Sequence, residues 1–405
     1  MENKKLLRWP RLVLGTVVLL FAGIIYAWSI LKVPFEDFWD AGQLGFNYTV
    51  TIIFFCLGGL LSGFLSKKTT SAFRLIISAV LLLSGFFIAS RLIGGDGGSV
   101  ALLYLAYGVI SGIGIGFVYN TVVSTTNAWY ADKVGHSSGI LLAGFGLGSL
   151  LVGRVADMLG NAEAVGWRNA YVIIAISLCV IMFAAAFIVK PPPAGTIFPA
   201  SKSAGMALSQ GQAKDYSVRE MLRRPTFYKL FIYISFISAT GSAAISFARD
   251  IALDVGASPG FAVTVVGMLA VANALGRFCA GWLFDNVSMR KTQIIISLIA
   301  LLAPVTVVAA LMTDSLFLGV TGVCLCGFAL GQSPATGSVL IAGFYGQKNF
   351  SLNFSVINLV LIPAPFAATM AGRLKDSTGA FLTAFMILTA ISLIGAISNI
   401  SIKNP

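Results

Sequence analysis

Apolar residues run in blocks of about 20, the length that crosses a bilayer as helix, and the blocks recur from one end of the chain to the other. Twelve are present, at 11–33, 47–66, 73–93, 100–129, 137–158, 168–190, 226–248, 259–284, 292–312, 315–343, 350–372 and 379–402. Runs of that length with so few charges read as membrane-spanning helices. One long polar segment interrupts them, "PPPAGTIFPASKSAGMALSQGQAKDYSVREMLRRP", Pro191 to Pro225. Its Pro, Ser, Gly and Lys content marks a linker, and it divides the spans six and six. The expected fold is an all-α membrane protein of twelve transmembrane helices. The expected halves are 1–190 and 226–405, joined by a cytoplasmic linker at 191–225.

The halves echo each other in sequence. "LGGLLSGFLSKK" (57–68) matches "LGRFCAGWLFDN" (275–286) at Leu57/Leu275, Gly58/Gly276, Gly63/Gly281 and Leu65/Leu283. "GIGIGFVYNT" (112–121) shares its glycine frame with "GFALGQSPAT" (327–336), and "GRVAD" (153–157) returns as "GRLKD" (372–376). Each echo holds the same place in its half, as in a duplicated, pseudo-symmetric secondary transporter. Gly108, Gly112 and Gly116 recur every four residues, as do Gly144 and Gly148, and Gly327 and Gly331. That spacing lets helix backbones approach closely in lipid. "GIGIG" and "GFGLG" follow no strand, so they are not nucleotide loops. Pro363 and Pro365 are expected to kink the eleventh span, since each removes a backbone donor; Pro304 and Pro334 are candidates to do the same in the ninth and tenth.

Composition agrees. The 405 residues are 57% hydrophobic and 10% charged, with a mean hydropathy of +0.90, whereas soluble domains carry about 25% charged residues. A net charge of +12 raises the question of nucleic acid, and its distribution answers it. With the N-terminus in the cytoplasm, most of the 27 basic residues fall on that side, among them Lys4, Lys5, Arg8, Arg11, Lys67, Lys68, Lys202, Lys214, Arg290 and Lys291. This positive-inside bias predicts both termini in the cytoplasm, a multi-pass location in the inner or plasma membrane, and lipid headgroups rather than nucleic acid as the basic surface's partner. The five cysteines lie in apolar spans, and Cys324-x-Cys326 lacks further Cys or His ligands. They read as free thiols, with no metal and no cofactor. His136, the single histidine, is expected in a loop.

One ionisable residue lies well inside a span. In "VANALGRFCAGWLFDN" Arg277 has small and apolar neighbours on both sides. Placing it there costs about 2.5–3.5 kcal/mol on the insertion scale. No Asp or Glu lies mid-span, so the counter-charge is expected from outside the chain. A planar guanidinium suits a carboxylate, which it binds through two parallel hydrogen bonds. Asn273 sits one turn earlier on the same face, placed to orient Arg277 or to reach the ligand. Further polar candidates are Tyr119 and Asn120 on the fourth span, Tyr26 on the first and Asn358 on the eleventh. The serine stripe Ser235, Ser238, Ser242 and Ser246 on the seventh reads first as interhelical glue.

At these residues the chain resembles the major facilitator superfamily, in particular its oxalate/formate antiporter and monocarboxylate transporter branch. The similar pieces are "IIYAWSILKVPF", "GIGIGFVYNTVVSTTNAWYADKVG", "GFGLGS", "MLRRPTFYKLF", "NALGRFCAGWLFDNVSMRKT" and "GRLKDSTGAFLTAF". The resemblance implies two six-helix bundles and matches Arg277 to the family's substrate-carboxylate arginine. Proton-coupled monocarboxylate carriers place an Asp one turn before that arginine, where this chain has Asn273. Oxalate carriers place a Lys in the eleventh span, and here Ser351 to Asn358 has none. A single fixed positive charge suits a monocarboxylate. Coupling then falls to Asp250 or Glu36 near the outer face, to anion exchange, or to no ion.

The expected function is therefore not enzymatic. It is secondary transport of a small carboxylate anion of the lactate, pyruvate or formate kind by alternating access, with protons as a candidate coupling ion. An exporter of sugars or drug-like solutes and a membrane protein without transport activity are the alternatives.

Overall fold

The computed structural model describes residues 8–39, 41–92, 97–162, 164–193, 196 and 215–402. Most of the expected linker, residues 194–195 and 197–214, lies outside the described residues, as do Lys4 and Lys5. The described chain is helical and carries no strand. Among the described residues, twelve helices are long and apolar enough to cross a membrane: Arg8–Ala27, Gln43–Leu65, Ser71–Ser90, Val100–Trp129, Val134–Gly160, Gly166–Ile188, Pro225–Asp254, Pro259–Asn286, Met289–Thr313, Leu316–Tyr345, Phe350–Lys375 and Leu382–Asn399. They are spans 1 to 12 below, and each overlaps one predicted run.

Local sequence sets several starts. The Thr70 hydroxyl accepts the Phe73 N–H at 3.2 Å and opens span 3. Ser258 does the same for Phe261, with Pro259 in the first turn of span 8. Both are N-cap arrangements that satisfy a donor the helix itself cannot.

The chain forms two compact units. Unit 1 is Met1–Tyr130, Gly144–Ile197 and Phe354–Val356; unit 2 is Ala131–Ala143, Phe198–Asn353 and Ile357–Pro405. Span 5 thus begins in unit 2 and continues in unit 1. In unit 1 the glycine stripe of span 4 lies against the backbone of span 2. A Cβ on Gly116 would overlap the Phe55 carbonyl oxygen. In unit 2 the equivalent stripe of span 10 lies on span 8, where a Cβ on Gly331 would overlap the Asn273 carbonyl. Small residues at this spacing make such contact possible without a hydrophobic driving force. Unit 2 also encloses an apolar cluster that includes Ala243, Ala244, Val307, Val323, Phe385 and Leu388.

Among the described residues, four spans depart from α-geometry. Span 1 passes through a 3₁₀ turn at Gly23–Ala27, and span 4 contains a π-helical segment at Tyr104–Ser111. Span 7 is broken at Phe247 (φ −125°, ψ 16°). Span 11 runs as helix over Phe350–Ile357, as 3₁₀ over Asn358–Leu361, and resumes at Pro365. The break expected from Pro363 and Pro365 is therefore present. Spans 9 and 10 continue as helix through Pro304 and Pro334.

Candidate functional site

Arg277 is buried in unit 2, 3% exposed, as is Asn273 at 7%. The spacing of four residues puts both on one face of span 8, and the Arg277 Nε donates to Asn273 Oδ1 at 3.0 Å. The Arg277 Nη1 donates to the Leu142 carbonyl of span 5 at 2.8 Å. Both acceptors are neutral oxygens. They fix the plane of the guanidinium and bring no negative charge to it. A guanidinium is a planar group whose paired N–H donors suit a carboxylate.

The start of span 5 runs along span 8 inside unit 2, and glycines make this possible. A Cβ on Gly139 would lie 3.1 Å from the Arg277 carbonyl oxygen and 3.3 Å from the Gly281 Cα. One turn away, the Asp285 carboxylate accepts the backbone N–H of Gly135 at 3.1 Å and that of His136. A carboxylate at a helix N-terminus satisfies orphan donors and complements the helix dipole. Ser138 pairs with Ser338 of span 10 at 2.7 Å. His136 is thus not a loop residue, since the helix begins at Val134 and the His136 amide sits in its first turn.

The tyrosines meet in unit 1. Phe145 of span 5 stands between them, its ring centroid 5.4 Å from Tyr26 and 4.9 Å from Tyr119. Phe55 lies 5.2 Å from Tyr119, and Phe354 stacks on Tyr119 at 5.9 Å. Centroid distances of this size are those of interacting rings. Phe55, Phe145 and Phe354 were not singled out in the sequence. Phe145 lies within "GFGLGS", and no periodicity distinguishes a wall residue from lipid-facing apolar ones. Leu142 had no signal either, because its contribution is a main-chain carbonyl. Leu142 and Phe145 lie three residues apart on span 5.

The remaining candidates are placed as follows. Asn120 is fully buried in span 4. Asn358 opens the 3₁₀ turn of span 11 and lines a small pocket with Ile234, Ser333, Pro334, Gly337 and Ile357. Tyr26 lies within the 3₁₀ turn of span 1. Discontinuous spans of this kind line binding sites in secondary transporters. Asp250 is half-buried near the end of span 7. Glu36 is exposed and pairs with Lys32 at 2.9 Å. Arg277, Asn273, Asn358 and Asp250 belong to unit 2, whereas Tyr26, Tyr119, Asn120 and Glu36 belong to unit 1. In the serine stripe, Ser238 bonds Ser333 of span 10 at 2.6 Å, which is the role of glue.

A profile of the Major Facilitator Superfamily matches residues 12–365. Among curated proteins, the chain is 27% identical over 368 residues to the uncharacterized MFS-type transporter YhjX of Escherichia coli (strain K12), covering 88% of this chain and 86% of that one. It is 23% identical over 400 residues to the oxalate:formate antiporter of Oxalobacter formigenes, covering 96% and 89%. It is 23% identical over 384 residues to monocarboxylate transporter 12 of Rattus norvegicus, covering 89% and 77%. Among solved structures, XylE, a proton:xylose symporter bound to 6-bromo-6-deoxy-D-glucose, aligns with a TM-score of 0.74 at 15% identity, over 97% of this chain and 95% of that one. FucP in the outward conformation aligns at 0.70 and 16% identity, over 97% and 99%.

Proposed function

Because the chain belongs to the Major Facilitator Superfamily, we propose that it is a secondary carrier of small monocarboxylates, with Arg277 as the group that receives the carboxylate. The observation that carries this reading is the buried guanidinium held in plane by two neutral oxygens, Asn273 Oδ1 and the Leu142 carbonyl. The names of two distant relatives, an oxalate:formate antiporter and a monocarboxylate transporter, support the same ligand class. The likeness to sugar symporters concerns the fold alone.

A permanent charge in a low-dielectric site is costly. A bound anion offsets that cost, so the loaded carrier changes conformation more readily than the empty one, and transport follows by alternating access. Tyr26, Tyr119, Asn120 and Asn358 are the further contacts in this reading. Protons, an exchanged anion, or no ion complete the cycle, with Asp250 and Glu36 as the coupling candidates. The halves 1–190 and 226–405, the linker between them, cytoplasmic termini and residence in the cell membrane complete the proposal.

The test is uptake in proteoliposomes of lactate, pyruvate, formate, oxalate and a hexose, with and without a pH gradient. Monocarboxylate uptake is expected, strongly impaired in Arg277→Lys because the planar fork is lost. Undiminished uptake in Arg277→Gln, or movement of the hexose alone, overturns the assignment.

A further inference from the structure

The π-helical segment Tyr104–Ser111 takes no part in the site above. Such segments are rare, and they recur where a helix has been adapted to hold or admit something. The Ser111 hydroxyl donates to the Ala106 carbonyl five residues back, at 3.2 Å.

Two side chains, one within this segment and one on span 2, are unusual. Tyr107 is fully buried, and its hydroxyl has no hydrogen-bond partner among the described residues. Asn47 of span 2 is also fully buried, and neither its amide oxygen nor its amide nitrogen has a partner there. Buried amides and hydroxyls are nearly always paired, because an unmade bond costs their full desolvation.

Asn47 lies against the π-helical segment itself. A Cβ on Gly108, next to Tyr107, would lie 3.2 Å from Asn47 Oδ1. The Trp28 ring lies 4.5 Å from the Tyr107 ring, and its Nε1 donates to the Leu44 carbonyl, one turn before Asn47, at 2.9 Å. The Phe86 ring lies 5.3 Å from that of Tyr107. These orphan groups call for a partner that the described residues do not supply. It must be small, and it must both donate and accept, because an amide and a phenol do both. Water meets these conditions, and a buried water takes two to four such partners.

We propose that the Asn47 amide and the Tyr107 hydroxyl hold a short chain of ordered water inside unit 1, beside the π-helical turn of span 4. The water replaces the absent hydrogen bonds and makes these two polar residues tolerable in an otherwise aromatic interior. This inference is independent of the transported solute.

The experiment uses the full chain in lipid nanodiscs. Tyr107→Phe, Asn47→Leu and the double variant are compared by thermal unfolding. With water present, each single change strands the water on fewer partners and lowers the Tm by about 2 °C or more. The double variant then loses less than the two singles combined, because both residues bind one water chain. A rise in Tm for Tyr107→Phe, the result expected of a dry orphan hydroxyl, overturns the proposal, and so does strict additivity. Where Asn47→Leu does not fold, X-ray radiolytic labelling of the unaltered protein decides. Labelling of Tyr107 despite its burial is expected, because hydroxyl radicals arise from adjacent water, and an unlabelled Tyr107 overturns the assignment.

Discussion

Asn273 accepts the Nε hydrogen bond of Arg277 from one turn away on the same helix, at 3.0 Å. This bond orients the only guanidinium deep in span 8, and it gives the proposed site a handle that can be altered without removing the charge. Asn273→Asp replaces a neutral acceptor with an anion. In that variant the ionised carboxylate pairs with Arg277 and competes with a carboxylate ligand. Ligand entry then requires protonation of the introduced side chain, so binding becomes linked to proton uptake. The KM for a monocarboxylate is expected to rise at pH 7.5 and to fall with pH by up to about tenfold per unit, beyond any slope in the parent protein. Equal pH profiles in uptake assays would show that Asn273 does not govern the charge of the site.

Gly331 makes a second prediction about the same helix pair. A Cβ there would overlap the Asn273 carbonyl and approach the Arg277 nitrogen at 3.1 Å. Those are backbone atoms on the ledge that holds the site, and they cannot move independently. Gly331→Ala is expected to destabilise by about 1–3 kcal/mol and to weaken carboxylate uptake with it. Gly267, also on span 8, has nothing within 4 Å of its Cβ position. Gly267→Ala is expected to be neutral or to stabilise by up to about 1 kcal/mol. Thermal unfolding of the two variants in one detergent separates the outcomes, and a tolerated Gly331→Ala would sink the packing argument.

These two cases mark what the sequence disclosed. Length and hydropathy located every span, because a bilayer imposes one thickness on all of them. The Arg277–Asn273 pair was legible because four-residue spacing fixes a shared face. The interruption of span 11 was legible from Pro363 and Pro365. The breaks at Gly23–Ala27, Tyr104–Ser111 and Phe247 were not, because no proline marks them. At Gly23 the chain instead packs closely on span 5, since a Cβ there would overlap the Phe145 carbonyl. The Leu142 carbonyl was invisible for a different reason, in that every residue has one. His136 was misplaced by only a few residues, within the usual uncertainty of helix ends, yet that shift converts a loop into the first turn that meets Asp285.

Asp285 supplies a third prediction. Its carboxylate accepts two consecutive backbone N–H groups at the start of span 5. Asn at this position keeps one acceptor and turns a donor toward the other N–H. Asp285→Asn is expected to cost about 1–3 kcal/mol, seen as a lower Tm and as faster hydrogen exchange at the Gly135 and His136 amides. Unchanged exchange at both amides would mean that the carboxylate does not hold this turn.

The last prediction separates wall from ligand contact at Tyr119. Its ring packs on Phe55, Phe145 and Phe354, and it is 3% exposed. Tyr119→Phe preserves every ring contact and removes one oxygen. Stability is therefore expected to stay within about 1 kcal/mol of the parent. If the phenol hydrogen-bonds the solute, its loss raises KM by about tenfold, the worth of one such bond, with the maximal rate less affected. Tyr119→Leu serves as the complement, since it removes both the oxygen and the aromatic wall and is expected to lower the Tm as well as raise KM. An unchanged KM in Tyr119→Phe, measured with lactate and pyruvate in the same vesicles, would leave the tyrosine as packing alone and reduce the proposed contacts to those of span 8 and its neighbours.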